Sequence, residues 1–352
     1  MSLLQKLNTW YEDYGRTLPW RGIDDPYRIW LSEIILQQTR IEQGRDYYYR
    51  FVEAFPSVAD LAAASEDQVL RLWQGLGYYS RARNLHAAAQ YIMKECSGRF
   101  PETHEGILRL KGVGRYTAAA IASFAFRLPY PVIDGNVYRF VSRLYGITTP
   151  IGTDAAYSEF EQLLLRQIDR SRPDHFNAAL MDFGSLQCKP QPDCKTCPFA
   201  DECDALQTGR VDLLPVKAAK AKPIDRWFYY FDIRWPQDRT SCTLLEQRTG
   251  KDIWRGLYQF PLLETENVLD GDALAAAALH FITEEFGITA ASFQVSDPFK
   301  HQLTHRTIHA RFLRVELRSK PSKVPPKYRV AEVEMIKKIP VSRLIDRYLQ
   351  SL

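Results

Sequence analysis

Apolar residues at helical spacing dominate the first two hundred positions. Leu3, Leu7 and Trp10, with Tyr11 and Tyr14, trace one face of a first amphipathic helix. A second helix is predicted from Pro26 to Gln43, with Ile29, Trp30, Leu31, Ile34, Ile35 and Leu36 as its apolar residues. Glu33 interrupts them. Ile29 lies four residues before it and Leu36 three after, so the carboxyl shares a helical face with both. Desolvation there would raise its pKa and suit it to act as a general acid near neutrality. The competing reading is an exposed Glu between core positions. Residues 44–100 carry further helical patterns, Thr117 to Phe126 an Ala-rich one, and another helix follows Asp134 through Arg143.

Past residue 226 the period changes. Trp227 to Ile233, Thr243 to Gln247 and Thr307 to Leu317 read as strands, and Ala273 to Phe286 as a helix ending near Gly287. Trp254 to Pro261 is an aromatic turn segment. Between the two regimes, Leu214 to Pro223 is basic, Pro-bounded and short on large apolar residues, which predicts a linker over 214–225. No internal repeat interrupts either part.

With 352 residues, two domains are expected. A hydrophobic fraction of 45% and a charged fraction of 25% are those of a soluble globular protein. A net charge of +4 permits an anionic partner without demanding one. No run approaches the ~20 apolar residues that span a bilayer, and Met1 to Trp10 lacks the pattern of a secretory signal. The expectation is a cytoplasmic protein with no membrane partner.

Candidate chemistry gathers around Leu110 to Ala120. Gly112 and Gly114 flank one small apolar residue and open a helix whose first N–H groups and dipole suit a phosphate. A plain glycine turn between packed helices is the alternative. Asp134 is placed to N-cap the next helix, and the N–H donors of a cap favour the ionised carboxylate. Facing a cleft, such an anion stabilises a cation. The loop Gly15 to Gly22 holds Arg16, Trp20 and Arg21; Arg pairs with phosphate or base edges, and Trp20 either stacks on a base or plugs the core. Gln37 to Arg40 is polar and fits a DNA-facing surface. Gly75 to Arg83, with two Gly, two Tyr and two Arg, fits either a duplex wedge or an ordinary aromatic loop.

Six cysteines occur, four of them as C-x5-C-x2-C-x5-C at Cys188, Cys194, Cys197 and Cys203. Such crowding is metal-binding rather than disulfide chemistry in the cytosol. It suits a tetrahedral zinc site or a [4Fe–4S] cluster, and the single C-x2-C pair tilts the reading toward iron–sulfur. Cys96 and Cys242 stand apart as ordinary thiols.

Taken together, Trp30-Leu31-Ser32-Glu33 to Gln38-Thr39, Gly75 to Arg81, the 110–120 hairpin, Asp134-Gly135-Asn136-Val137, the cysteine loop and Trp254 to Pro261 resemble the helix-hairpin-helix DNA glycosylases. Within these, they look like the adenine DNA glycosylases of the MutY type, over nearly the full length. The resemblance implies an all-α catalytic region over 1–213, made of a six-helix barrel (about 20–130) beside an iron–sulfur helical domain (1–19 plus 131–213). An α+β Nudix-like recognition domain over 226–352 follows. It implies base excision repair: excision of adenine opposite 8-oxoguanine or guanine in double-stranded DNA, by a monomer associated with the nucleoid. By position, Glu33 is the acid, Asp134 stabilises the oxocarbenium ion, and Tyr116 and Asn136 orient the catalytic groups. Arg16, Trp20, Arg21 and Leu36 line the adenine pocket. Gln38 and Tyr78 enter the base stack, and Thr39 and Leu76 contact the oxidised guanine. Gly112 and Gly114 contact DNA, Thr304 and His305 read the base opposite adenine, and the four cysteines hold a [4Fe–4S] cluster.

The chain departs from that pattern in places. The first cysteine gap is five residues rather than six, Ala178 replaces a Gln or Glu directed at adenine, and Leu303-Thr304-His305 replaces a Phe-Ser-His loop. Glu284-Glu285-Phe286-Gly287 survives from the Nudix hydrolase motif, but His280-Phe281 replaces its preceding Arg-Glu pair. The carboxylates a metal-dependent pyrophosphatase needs are therefore incomplete. Two rival readings are an endonuclease III-like glycosylase/lyase, which places Lys where Tyr116 stands, and an inert mismatch-binding protein, which needs neither Glu33 nor Asp134.

Overall fold

The computed structural model describes residues 2–218, 223–238 and 240–352. Residues 1–63 and 84–220 form one compact unit, and residues 64–83 and 221–352 a second. Of the expected linker, residues 219–222 lie outside the described part. On its N-terminal side Val216 is held by an N–H of Ile151 at 2.8 Å, and β1 already begins at Ile224.

The helices of the N-terminal half are α1 (Leu3–Tyr14), α2 (Pro26–Leu36), α3 (Ile41–Ala54), α4 (Val58–Ala63), α5 (Glu66–Leu72) and α6 (Ser80–Glu95). They continue with α7 (His104–Leu108), α8 (Arg115–Phe126), α9 (Gly135–Tyr145), α10 (Asp154–Leu165), α11 (Pro173–Leu186) and α12 (Asp204–Gln207). In the first unit, α2 packs against α8 and α3, and α1 packs on α11. Leu7 and Trp10 of α1 share a core with Phe140, Phe160, Phe176, Phe183 and Phe199, and Cys188, Cys197 and Cys203 pack on its edge.

The predicted helix over 26–43 is in fact two helices. Asp25 caps α2, with its carboxylate accepting from the N–H groups of Tyr27 and Arg28. The helix stops at Leu36 because Gln38 adopts a left-handed backbone, φ 57°. The chain restarts as α3 at Ile41. The polar stretch 37–40 is thus a loop at the end of the helix that carries Glu33.

The second unit is built on one mixed sheet. Its strands are β1 (Ile224–Gln237), β2 (Thr240–Gln247), β3 (Tyr258–Gln259), β4 (Leu262–Thr265), β5 (Gln294–Val295), β6 (Phe299–Gln302), β7 (Arg306–Glu316) and β8 (Tyr328–Glu332). The main order is β3-β2-β1-β7-β5; β4 pairs with β1, β6 with β7 and β8 with β2. β1 and β7 pair in parallel, from Ile224 opposite Arg306 to Arg234 opposite Glu316. Alternation along β1 divides its residues between two cores. Phe231, Ile233 and Trp235 pack with Leu274, Ala278, Ile282 and Phe286 of α13 (Gly271–Phe286). Phe228 and Tyr230 pack with Leu344, Ile345 and Tyr348 of α14 (Arg343–Gln350). The aromatic turn segment at 254–261 contains the short strand β3.

Asp232 is buried within this sheet. Arg234 lies 2.8 Å away, Arg314 3.4 Å, and the Tyr348 hydroxyl donates to it at 2.8 Å. The Tyr348 ring stacks on Phe312 at 3.8 Å between centroids. Removing any partner leaves a buried charge less well matched, which is strongly destabilising. Among the described residues no helix is long and apolar enough to cross a membrane.

Candidate active site

Glu33 is buried, 6% exposed, one turn before the end of α2. It borders a cavity of about 550 Å³ with Tyr116, Asp134 and Asn136. Arg16, Trp20, Arg21, Leu36, Gln38, Thr39 and Gly114 border the same cavity. Residues scattered over 120 positions of sequence are thus brought to one place. Among the described residues no lysine lines the cavity; Lys111 is exposed on the glycine turn.

Burial pushes the Glu33 carboxyl up to about 7, with Asp134 adding to the rise. A hydrogen bond from Tyr116 and the charge of Arg21 pull the other way and are outweighed. Burial, with Glu33 and Asp134 beside it, holds the Tyr116 phenol well above its ordinary value, so it stays a donor. The site therefore holds a carboxyl that carries a proton at near-neutral pH and can release it.

Asp134 caps α9 as the sequence suggested. Its carboxylate accepts from the backbone N–H groups of Asn136 (2.8 Å) and Val137 (2.7 Å) and from Asn136 Nδ2 (2.8 Å). Burial raises its pKa above the ordinary value, while these three donors and the charge of Arg139 pull the other way and favour the carboxylate. The segment before it is pinned by Asn177, a residue the sequence reading passed over. Asn177 accepts from the Val132 N–H at 2.9 Å and donates to Ser123 (2.8 Å) and to the Tyr130 carbonyl (2.9 Å).

The two cavity arginines are not free cations. Asp182 of α11, fully buried, accepts from the backbone and guanidinium of Arg16 and, with both carboxylate oxygens, from Arg21. Burial alone would raise the Asp182 pKa; the bonds from Arg21 and Arg16 outweigh it and hold it low. Trp20 is buried and borders the cavity, and its ring meets Tyr48 edge-on at 5.2 Å. Ala178 is buried and does not border the cavity; Met181 and Ser185 do.

At the hairpin the two glycines differ. Gly112 needs its left-handed backbone, φ +81°, and a Cβ there would lie 2.7 Å from Asn84. Gly114 has an extended backbone open to any residue, and a Cβ there would meet nothing in the protein. Gly114 is the N-cap of α8 with no side-chain capping bond, which leaves the first N–H groups of that helix open to an anion.

Leu76, Tyr78, Thr304 and His305 belong to the second unit. Leu76 is buried and Tyr78 half exposed, with φ 47°. The Tyr78 hydroxyl lies 2.9 Å from Thr304 Oγ1, in the exposed turn between β6 and β7 that also holds His305. The two arginines of this loop bond to backbone carbonyls, Arg81 from a buried position and Arg83 from a partly exposed one. Arg81 bonds to the carbonyls of Leu76 and Gly77, and Arg83 to that of Arg255. Buried carbonyls are satisfied this way. On α13, Glu285 is paired with Lys327 at 3.2 Å.

Cys188, Cys194, Cys197 and Cys203 are free thiols bordering one small cavity of about 30 Å³, lined otherwise by Phe140, Phe199, Leu206 and Val211 among others. Burial raises Cys188, Cys194 and Cys197, the last to about 11. Arg143 Nη1 lies 3.6 Å from Cys188 Sγ. Four thiols on one small cavity, with the Arg143 guanidinium beside Cys188, are the donor set of a thiolate-bound group, whose metal ions would lower their pKa values. Among the described residues no group of three or more His, Cys, Asp or Glu side chains is arranged to hold a metal ion.

Comparison with known proteins gives these features a family. Residues 31–166 match the HhH-GPD superfamily of base excision DNA repair proteins, and residues 231–351 match the NUDIX domain. The chain is 33% identical over 311 residues to an adenine DNA glycosylase of Buchnera aphidicola, covering 87% of this chain and 83% of that one. It is 39% identical over 211 residues to the adenine DNA glycosylase of Homo sapiens, covering 57% of this chain and 39% of that one. Among solved structures, a thermostable thymine-DNA glycosylase superposes with a TM-score of 0.55 at 26% identity, over 58% of this chain and 95% of that one. The chain belongs to the adenine DNA glycosylase family of the HhH-GPD superfamily, DNA repair enzymes that hydrolyse N-glycosyl bonds.

Proposed function

We propose that this protein removes adenine mispaired with 8-oxoguanine, or with guanine, from double-stranded DNA and leaves an abasic site. The observation that carries the reading is the buried Glu33 carboxyl, bonded to Tyr116, in one cavity with Asp134. Adenine leaves poorly until protonated, and C1′ becomes cationic as the bond breaks. Glu33 supplies the proton and then handles water, Asp134 balances the charge at C1′, and Tyr116 and Asn136 orient the two carboxyls. The adenine is flipped out of the stack into the space beside Arg16, Trp20, Arg21 and Leu36. Gln38 and Tyr78 enter the stack, Thr39 and Leu76 meet the oxidised guanine, and the open N-terminus of α8 at Gly112–Gly114 takes a phosphate. The decisive experiment is a glycosylase assay on one duplex with adenine opposite 8-oxoguanine, guanine, cytosine or thymine. Excision confined to the first two supports the reading; equal excision from all four refutes the mispair specificity.

The first 213 residues are proposed as the catalytic region, joined through residues 214–225 to a recognition domain without pyrophosphatase activity. Thr304 and His305 are its contacts with the base opposite adenine. Thr304→Ala is expected to lower the ratio of single-turnover rates, 8-oxoguanine over guanine, by about tenfold, the worth of one hydrogen bond of ~1.4 kcal/mol. An unchanged ratio places recognition elsewhere.

The enzyme is monofunctional in this reading, because Tyr116 carries no amine to form a Schiff base with the sugar. The wild type should leave the strand intact until heat or alkali is applied, and borohydride should trap no covalent complex. Efficient trapping, lost in Lys111→Ala, would establish the lyase mechanism instead. The four cysteines are proposed to bind a [4Fe–4S] cluster. The protein is proposed to act as a monomer in the cytoplasm, on the nucleoid.

A further inference from the structure

We infer that Asp182 is a positioning residue for the acid: its buried carboxylate offsets the two guanidiniums on the cavity wall, so that Glu33 keeps its proton beside them. The inference rests on the reading of Glu33 as the proton donor.

Arg16 and Arg21 border the same cavity as Glu33. A guanidinium close to a carboxyl favours its ionised form and lowers its pKa by ~1–3 units. Two unpaired guanidiniums would therefore work against a general acid. Asp182 has no exposed side-chain surface and lies wholly in the space these arginines share. It takes the Arg16 backbone N–H at 2.9 Å, Arg16 Nε at 3.0 Å, and Arg21 Nη1 and Nη2 at 2.7 and 2.9 Å. With one anion against two cations, the triad carries +1 instead of +2, and the low local dielectric makes that difference count. The bidentate pairing also fixes the Arg21 guanidinium against α11 rather than leaving it to swing toward the carboxyl. Tyr11 of α1 completes the clamp, its hydroxyl 3.3 Å from Arg21 Nη1.

The other groups acting on Glu33 do not replace this balance. Tyr116 of α8 donates a hydrogen bond that favours the ionised form, Arg21 acts in the same direction, and Asp134 at the cap of α9 opposes ionisation. The neighbouring α3 brings only Ile41 to the cavity. Burial keeps Glu33 protonated, and Asp182 keeps the cations of the cavity wall from undoing it.

The test is a titration of the Glu33 side-chain carboxyl by carbon-13 NMR in the full-length protein, assigned by loss of its signal in Glu33→Gln. A single-turnover pH profile on the adenine/8-oxoguanine duplex accompanies it. Asp182→Asn should move the Glu33 midpoint down by about one unit or more. Its excision rate should fall most at the alkaline end and recover as pH is lowered. Asp182→Glu, which keeps the charge, should restore the midpoint. Arg21→Met, which removes a cation, should move the midpoint up. That variant decides the matter alone if Asp182→Asn does not fold. A midpoint unmoved in both directions, or a loss uniform across pH, would overturn the inference. Full excision by Glu33→Gln would instead remove the acid assignment, leaving the NMR midpoints to report on Asp182 separately.

Discussion

Glu33→Gln is expected to lower single-turnover excision of adenine by ~10²–10⁴-fold while the duplex still binds. That loss corresponds to roughly 3–5.5 kcal/mol of barrier. Gln has nearly the same shape, accepts the same bond from Tyr116 and cannot release a proton. The pH dependence follows from the raised pKa of about 7. The acid is loaded below that value and empty above it, so the wild-type rate should fall on the alkaline side, and this limb should be missing from any residual activity of the variant. Asp134→Asn should be comparably severe, because the amide keeps the cap of α9 but removes the anion proposed to balance the charge at C1′. Rates near wild type in either variant, measured with enzyme in excess, would refute the assigned roles.

Much of this site is visible in the chain. Glu33 stands at a position where helical spacing demands an apolar residue, and its burial follows from Ile29 and Leu36. Asp134 is visible as a cap, but its raised pKa depends on residues packed over it from other elements. Asp182 was not legible. Its partners lie more than 160 residues away in the loop at Arg16–Arg21, and an acid between Met181 and Phe183 reads as the polar face of a helix. The one signal was Asp182 standing between the apolar Met181 and Phe183, with two arginines in the distant loop at 16–21. Gln38 and Tyr78 gave no sign of left-handed backbone, which glycine usually advertises. In the second unit β1, β7 and α13 were readable from their apolar periodicity. The strands β3 and β5 are two residues long, and β8 is mostly exposed, so their pairing is set by neighbours rather than by their own composition.

The second large effect is expected at the cysteines. Protein purified without oxygen should contain about four iron and four sulfide per chain, as a [4Fe–4S] cluster requires. Cys197→Ser should lose the cluster and leave the first unit poorly folded, because ligation energy is folding energy. The structural reason is local. Cys188, Cys197 and Cys203 pack on the core formed by Leu7, Trp10, Phe140, Phe183 and Phe199, so a disordered loop uncovers the seat of α1. The measurement is iron, sulfide and zinc content beside a thermal melt. Stoichiometric zinc without sulfide would make the site a zinc site, and a melt unchanged in Cys197→Ser would show that the loop carries none of the stability.

The buried Asp232 has a consequence for the order of synthesis. It lies on β1, yet Arg314 comes from β7 and the donating hydroxyl from Tyr348. Until residues 306–316 have been made β1 lacks its parallel neighbour, and until residue 348 it lacks the ring and hydroxyl that close over Asp232. The buried carboxylate therefore gains the Tyr348 hydroxyl only when the chain has been made to position 348. A chain that stops a few residues before that point is expected to leave Asp232 short of the Tyr348 hydroxyl and so to destabilise the sheet, not merely to trim its tail.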